Sequence, residues 1–200
     1  LAKGGVLMVV LWWAWFRGGP QERRTRSIVV TALVASVVAI LIGRFLAHAL
    51  PFRERPFNTA GYEFTLPFAA DPDYFSGLSA FPSDHAVLFA ALAMCIFVIS
   101  RPVGIAAAAY VMAFVFVPRL YVGLHWPTDI IAGSVLGAGI AWVALLPRIR
   151  DLCSKPAFWV LDRYPGLFYA GAFLVTYQVA ELFEDLRQAG GYVARTLGIT

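Results

Sequence analysis

The feature that most constrains this chain is a series of apolar runs separated by short polar connections. Six runs cover approximately residues 4–16, 27–50, 86–100, 103–117, 130–146 and 166–180. A helix needs about 20 residues to cross a bilayer, with a range of about 17–25, and several runs reach that length only by including polar residues at one end. One such run could be a core helix of a soluble protein, but six in 200 residues predict a membrane protein.

Composition supports the same interpretation. The chain is 60% hydrophobic and 14% charged, whereas soluble domains are about 45–50% apolar and about 25% charged. We therefore expect an all-α, integral membrane bundle of about six transmembrane helices, forming one membrane-embedded domain over residues 1–200. Residues 184–200 are expected to form an interfacial or helical tail. Because the sequence begins at Leu1 without a methionine, we also expect upstream residues to be missing from it.

Basic residues predict the orientation in the membrane. The net charge of +4 is modest, and its clustering in short segments does not suggest nucleic-acid binding. Lys and Arg are enriched in cytoplasmic loops, which places the first, third and fifth connections there (Arg17, Arg23, Arg24, Arg26, Arg101, Arg148, Arg150, Lys155, Arg163). The second and fourth connections, about 44–85 and 118–129, then face outward. Cys95 and Cys153 fit neither a metal site nor a disulfide framework.

Ionisable and polar residues cluster where these two outward connections meet apolar runs. Ser83 follows a proline and precedes an apolar run, so it is a candidate helix N-cap, although it could be only a cap. Free N–H groups at a helix start favour an anion. Arg55 and Arg119 add fork-shaped donors that match phosphate oxygens, with structural ion pairs as the competing interpretation.

The spacing of His125 and Asp129 suggests an oriented nucleophile. They lie four positions apart at a helix entrance, where a carboxylate can fix the tautomer of an imidazole and leave its other nitrogen to attack. His85, at a different helix start, is the candidate general acid. The plainer alternative for either histidine is an interfacial hydrogen bond. We interpret Arg53 and Glu54 as local loop charges.

Three segments together resemble the type 2 phosphatidic acid phosphatase superfamily. Its signatures are Lys-x6-Arg-Pro, Pro-Ser-Gly-His and Ser-Arg-x5-His-x3-Asp. This sequence has His48-x6-Arg55-Pro56, Pro82-Ser83-Asp84-His85 and Pro118-Arg119-x5-His125-x3-Asp129. Three stretches look like the bacterial undecaprenyl-diphosphate phosphatase branch: Arg55-Pro56-Phe57, Phe81-Pro82-Ser83-Asp84-His85, and the segment from Tyr121 to Asp129.

The resemblance implies a function and a set of roles. His125 would form a phosphohistidine, oriented by Asp129, and His85 would protonate the leaving oxygen and then activate water. Four residues would hold the phosphoryl oxygens: Arg55, Arg119, Ser83 and His48. Neither a metal nor another cofactor would be needed. The expected substrate is undecaprenyl diphosphate, cleaved to undecaprenyl phosphate at the extracytoplasmic face of a bacterial inner membrane.

This sequence departs from the signatures at three positions. His48 replaces the lysine, so its phosphate contact is in question, and Arg53 or Arg44 could compensate. Pro118 replaces a serine. Asp84 replaces a glycine, where it would tune the substrate or the charge at the helix start.

Two alternative functions stay open at this level. The first keeps the chemistry and changes the lipid to phosphatidate or phosphatidylglycerophosphate. The second is a transporter or lipid-phosphate binder that uses the arginines without cleaving the phosphate. Either way the partners are a polyprenyl or phospholipid phosphate and membrane lipids. The oligomeric state is left undetermined. The uncharged spans exclude a soluble haloperoxidase with the same signatures.

Overall fold

The computed structural model describes residues 4–62, 64 and 77–183, and every regular element in these ranges is helical. The all-α prediction is therefore confirmed. The predicted tail 184–200 lies outside the described residues. In chain order the elements are α1 (Gly5–Phe16), α2 (Glu22–Ala49), a 3-10 turn (Pro56–Asn58), α3 (Asp84–Ile99), α4 (Arg101–Val111), a π-helical turn (Met112–Phe116), α5 (Val117–Tyr121), α6 (Pro127–Ala144), α7 (Pro147–Arg163) and α8 (Pro165–Ala180).

Three helical stretches are long and apolar enough to cross a bilayer: α2, the continuous stretch Arg101–Tyr121, and α6. Helices α1 and α3 are shorter and also apolar. The outer surface carries large apolar side chains, such as Leu41 (63% exposed), Val135 (69%) and Phe173 (66%). A lipid environment accommodates such a surface, whereas water would not. The protein is thus an integral membrane protein, and the total of six spans stays a prediction.

A π-helical turn joins α4 to α5. Pro118 has no amide proton to continue the hydrogen-bond ladder, and the turn before it is widened over Met112–Phe116, a common site for such bulges. The guanidinium of Arg119 folds back onto this turn, where its Nη1 donates to the Val115 carbonyl oxygen at 2.9 Å. The local break in the helix therefore fixes the position of Arg119.

Helices α3 and α6 pack closely through glycine. A side chain at Gly137 would overlap the backbone of Val87, with its Cβ 2.0 Å from the carbonyl oxygen. At Gly133 it would lie 2.9 Å from both the Ala86 Cβ and the Ser83 carbonyl oxygen. These glycines form the small-residue spacing that lets membrane helices approach. Their contact holds the start of α3 beside the start of α6.

Helix α7 changes one expectation. Sequence patterning predicts a polar connection over 147–165, but the structure has a 17-residue helix there. Helix α7 starts at the far end of α6. It leads to the start of α8, where Tyr169 accepts a hydrogen bond from Trp15 at the end of α1 (3.4 Å). Phe158 of α7 also lies under Arg23 in the first turn of α2, 5.4 Å from the guanidinium carbon to the ring centre.

Both ends of α7 therefore lie at the face opposite the starts of α3 and α6. The basic residues of the first, third and fifth connections lie at this same face. Because both of its ends lie at this face, α7 does not pass from one face of the bundle to the other. Its helical form could not be inferred from charge alone, because a helix along a membrane face tolerates the polar residues that exclude a transmembrane one.

Candidate active site

The candidate site is built where α3 and α6 begin. Ser83 is the N-cap of α3, and its buried hydroxyl accepts from the Ala86 amide at 3.4 Å. The Ser83 amide donates to the Asp129 carbonyl oxygen in the first turn of α6, at 3.3 Å. Two helix N-termini therefore lie side by side. Each presents N–H groups and partial positive charge, as a phosphate site requires.

His125 lies just before α6 and is 7% exposed. Its Nδ1 is 2.9 Å from the Ala80 carbonyl oxygen. A carbonyl oxygen only accepts, so Nδ1 carries the proton and Nε2 keeps its lone pair. The structure thus assigns the tautomer that nucleophilic attack by Nε2 needs.

Asp129 does not provide the short contact to His125 that the spacing predicts. Its Oδ2 is 3.7 Å from Nδ1 of His125 and accepts from the Trp126 amide at 2.7 Å. Its Oδ1 accepts from Nη1 of Arg53 at 2.7 Å. The carboxylate is fully buried and close enough to stabilise a charged imidazole, but Ala80 makes the direct hydrogen bond.

Burial is the main influence on the pKa of His125. It lowers this pKa below the ordinary value of 6.5, and the charge of Arg55 lowers it further, while Asp129 and Ala80 oppose the shift without reversing it. Because the ordinary value already lies below 7, this lowering adds to an existing preference for the uncharged ring at neutral pH. The neutral imidazole, which can attack, is favoured.

Arg55 and Arg119 both have buried guanidiniums, Arg55 against the residue before His125 and Arg119 against the π-helical turn. Arg55 is 8% exposed and its Nη1 donates to the Leu124 carbonyl oxygen at 2.9 Å, directly before His125. Burial lowers the pKa of Arg55, and the carboxylates of Asp84 and Asp129 oppose that change. Arg119 is 3% exposed. Buried cations are costly to desolvate, so a phosphate that reaches them recovers part of that cost.

His85 and His48 occupy different environments. His85 is partly buried in the first turn of α3, with its ring 6.2 Å from the Phe89 ring. His48 is exposed in the last turn of α2. The α2 cation that reaches the start of α3 is Arg44, whose Nε donates to Asp84 Oδ2 at 3.3 Å. The roles of both histidines stay predictions.

Two contacts were not predictable from sequence spacing. Arg53, which the sequence offers only as a loop charge or as a cation that compensates for His48, contacts the carboxylate of Asp129, 76 positions away. The carbonyl of Ala80 is a backbone group, which no residue pattern marks. A possible signal for Arg53 was its place two residues before Arg55. The described residues contain no group of three metal-ligating side chains.

Comparisons with known proteins agree with the three signatures. The model of the PAP2 superfamily matches residues 28–150. The undecaprenyl-diphosphatase of Sulfolobus acidocaldarius is 32% identical over 128 residues, covering 62% of this chain and 56% of that protein. The putative undecaprenyl-diphosphatase YbjG of Escherichia coli is 30% identical over 147 residues, covering 70% of this chain and 67% of that protein.

A third relative carries a different kind of name. The bacitracin transport permease protein BcrC of Bacillus licheniformis is 31% identical over 118 residues, covering 58% of this chain and 54% of that protein. The chain thus spans about half to two thirds of these relatives. No solved structure matches it. The family match covers the starts of α3 and α6 and all three signatures, so the chain belongs to the PAP2 superfamily.

Proposed function

We propose that this protein hydrolyses undecaprenyl diphosphate to undecaprenyl phosphate through a phosphohistidine on His125. The observation that carries the proposal is the hydrogen bond from Nδ1 of His125 to the Ala80 carbonyl oxygen. It leaves Nε2 as a lone-pair nitrogen, and the charge of the buried Arg55 is close enough to lower the pKa of the same imidazole. A protein that only binds phosphate needs the arginines, but it has no need for an oriented neutral imidazole.

The first chemical step transfers the terminal phosphoryl group. Nε2 of His125 attacks the phosphorus, a P–N bond forms, and the P–O bond to the leaving lipid phosphate breaks. Arg55 and Arg119 neutralise the charge on the non-bridging oxygens as it develops. His85 donates a proton to the leaving oxygen. The imidazole then carries positive charge, which the buried carboxylate of Asp129, 3.7 Å from Nδ1, stabilises.

The second step releases inorganic phosphate. His85, now neutral, removes a proton from a water molecule, and the resulting nucleophile attacks phosphorus opposite the P–N bond. That bond breaks, and its electron pair returns to Nε2. Ser83 and the free N–H groups at the helix starts help to hold the phosphoryl oxygens in both steps. His48, exposed at the rim, contributes least.

The distribution of basic residues supports the side of the membrane that we propose for the site. The basic connections and α7 lie at the face opposite the site, and basic residues are enriched at the cytoplasmic face. The site would then open to the exterior, or to the periplasm of a bacterial inner membrane. The names of two relatives include undecaprenyl-diphosphatase, which favours this substrate over phosphatidate or phosphatidylglycerophosphate.

The test is phosphate release by the purified protein in detergent. Undecaprenyl diphosphate, phosphatidate and phosphatidylglycerophosphate are compared, each with and without a chelator. We expect fastest release from the diphosphate, unaffected by chelator, and loss of at least about 10³-fold in His125→Ala, as for removal of other catalytic nucleophiles. Thr176→Ala is the control, because Thr176 is similarly buried (8% against 7%) but lies in α8.

Each result has a distinct consequence. Full activity in His125→Ala would overturn the nucleophile assignment, and loss of activity with chelator would overturn the metal-free mechanism. Faster release from one of the phospholipids would replace the substrate and keep the chemistry. No release from any lipid, with tight binding of the diphosphate, would favour the binder or transporter. A labelling experiment that finds the 122–126 loop accessible from the cytoplasm would overturn the orientation.

A further inference from the structure

Arg53 is not one of the fixed residues of the three signatures, but its side chain makes two short hydrogen bonds in the site. Its Nη1 donates to Asp129 Oδ1 at 2.7 Å and to Thr128 Oγ1 at 2.8 Å. Its guanidinium carbon lies 5.8 Å from the centre of the Trp126 ring. Trp126, Thr128 and Asp129, at and just before the start of α6, are therefore all contacted by one side chain, which is 38% exposed.

The backbone of Arg53 holds a second element. Its carbonyl oxygen accepts from the Ala80 amide at 2.8 Å, and its amide donates to Ser79 Oγ at 3.2 Å. Ala80 in turn accepts the hydrogen bond from Nδ1 of His125. Arg53 thus joins the segment after α2 to the segment before α3.

Nδ1 of His125 has two acceptors nearby, and Arg53 holds both. The first is the Ala80 carbonyl oxygen at 2.9 Å, tethered by the Arg53 backbone. The second is Asp129 Oδ2 at 3.7 Å, whose other oxygen is bound by the Arg53 side chain. We propose that Arg53 is a positioning residue whose side chain acts through Asp129 to orient His125 and keep it neutral before attack, while its backbone holds the segment that carries Ala80. This inference rests on the proposed role of His125.

The charge of Arg53 matters as well as its geometry. A bare buried carboxylate 3.7 Å from an imidazole favours the protonated ring, which cannot attack. The ion pair with Arg53 offsets part of that influence. The other charged or titratable residues on the surrounding elements are unchanged when Arg53 is replaced, namely Arg44, Glu54, Arg55, Asp84, His85, Arg119 and Asp129.

The test compares Arg53→Gln and Arg53→Lys with wild type in the phosphate-release assay. Loss of the hydrogen-bond partner that orients a metal-bound histidine costs about 10–100-fold. By analogy, we expect kcat of Arg53→Gln to fall by about that factor, with KM changed less. The acidic limb of the pH profile should move to higher pH, because losing the cation favours protonated His125. Arg53→Lys should recover most activity, since a single nitrogen makes both side-chain bonds.

Arg26→Gln is the matched control. Arg26 is similarly exposed (28%) and also pairs with a carboxylate, but its partner is Glu22 in the first turn of α2, at the face opposite the site. It should leave the acidic limb in place. If Arg53→Gln keeps wild-type kcat and pH profile, the inference is wrong. It is also wrong if kcat falls with an unmoved limb and no rescue by lysine, because that marks a merely structural role. Absence of phosphate release in wild type would instead contradict the proposed function.

Discussion

Replacing Gly137 by alanine tests the close packing of α6 on α3. A Cβ at this position would lie 2.0 Å from the carbonyl oxygen of Val87 and 2.8 Å from its carbonyl carbon. Both are backbone atoms within α3, so they cannot turn away as the end of a flexible side chain can. The overlap is relieved only if the two helices move apart or α6 rotates.

The geometry gives the size of the effect. Close carbon-to-oxygen contacts in proteins are about 3.3–3.6 Å, so the helices must separate locally by about 1.3–1.6 Å. Overpacking costs about 1–3 kcal/mol, occasionally more, and we expect about 3 kcal/mol because two backbones carry the strain. At about 2–4 °C per kcal/mol for a chain of this size, the unfolding temperature should fall by about 6–12 °C.

Activity should fall more steeply than stability. The same contact holds the start of α3 against the start of α6, where the Ser83 amide donates to the Asp129 carbonyl oxygen at 3.3 Å. A displacement of about 1 Å at a catalytic site can cost about 10²-fold. We therefore expect a loss of about that size in kcat/KM at temperatures where Gly137→Ala is still folded.

The assay pairs thermal unfolding in detergent with phosphate release. Gly139→Ala is the control, because it lies on the same helix and a Cβ there meets nothing within 4 Å. It should behave as wild type. If Gly137→Ala matches Gly139→Ala in both unfolding temperature and kcat/KM, then α6 and α3 do not approach so closely at Gly137 that a methyl group forces them apart.

Two further predictions concern the site itself. Burial and the charge of Arg55 lower the pKa of His125. As the pH is lowered, kcat/KM should therefore decline only below the ordinary histidine pKa of about 6.5. A pH–rate profile that already declines above this value would contradict the neutral, buried imidazole. Arg119→Lys should lower kcat/KM by at least about 10-fold, since one lysine nitrogen cannot reproduce a buried guanidinium fork. The control is Arg148→Lys, at an exposed arginine of α7. Equal kcat/KM values for the two variants would show that Arg119 is not part of the site.

The sequence predicts the position of His125 beside a helix start, but it does not predict the hydrogen-bond partner of the imidazole. Its spacing from Asp129 suggested a direct hydrogen bond, as between facing residues on one helix. However, α6 begins only at Pro127, so His125 lies before the helix and that geometry does not apply. Asp129 turns back to accept from the Trp126 amide, as a residue in the first turn often does, and Ala80 takes its place as the direct acceptor.

The elements themselves were easier to predict than their partners. Apolar runs located α2 and α6, and Ser83 after a proline marked the start of α3. These signals are local, since they arise from hydropathy and from the missing amide proton of proline. The contact between Arg53 and Asp129 joins residues 76 positions apart, and only the packed bundle brings them together.

The structure connects two of the departures from the signatures. Asp84, where the family has glycine, pairs with Arg44 of α2, while His48 one turn further along α2 is exposed. Arg55 lies within the electrostatic influence of both Asp84 and Asp129, and each carboxylate opposes the effect of burial on its pKa. The charges therefore alternate through Arg44, Asp84, Arg55, Asp129 and Arg53.

Such an alternation lowers the cost of burying Arg55, because each charge has an opposite charge beside it. Asp84 would repel a phosphate if it stood alone. Paired with Arg44, it instead supports the positive charge of the buried guanidinium that the proposed mechanism needs. The aspartate in place of glycine is then compatible with the proposed phosphate binding. The α2 cation that contacts Asp84 is Arg44, and the phosphate contact of the exposed His48 stays a prediction.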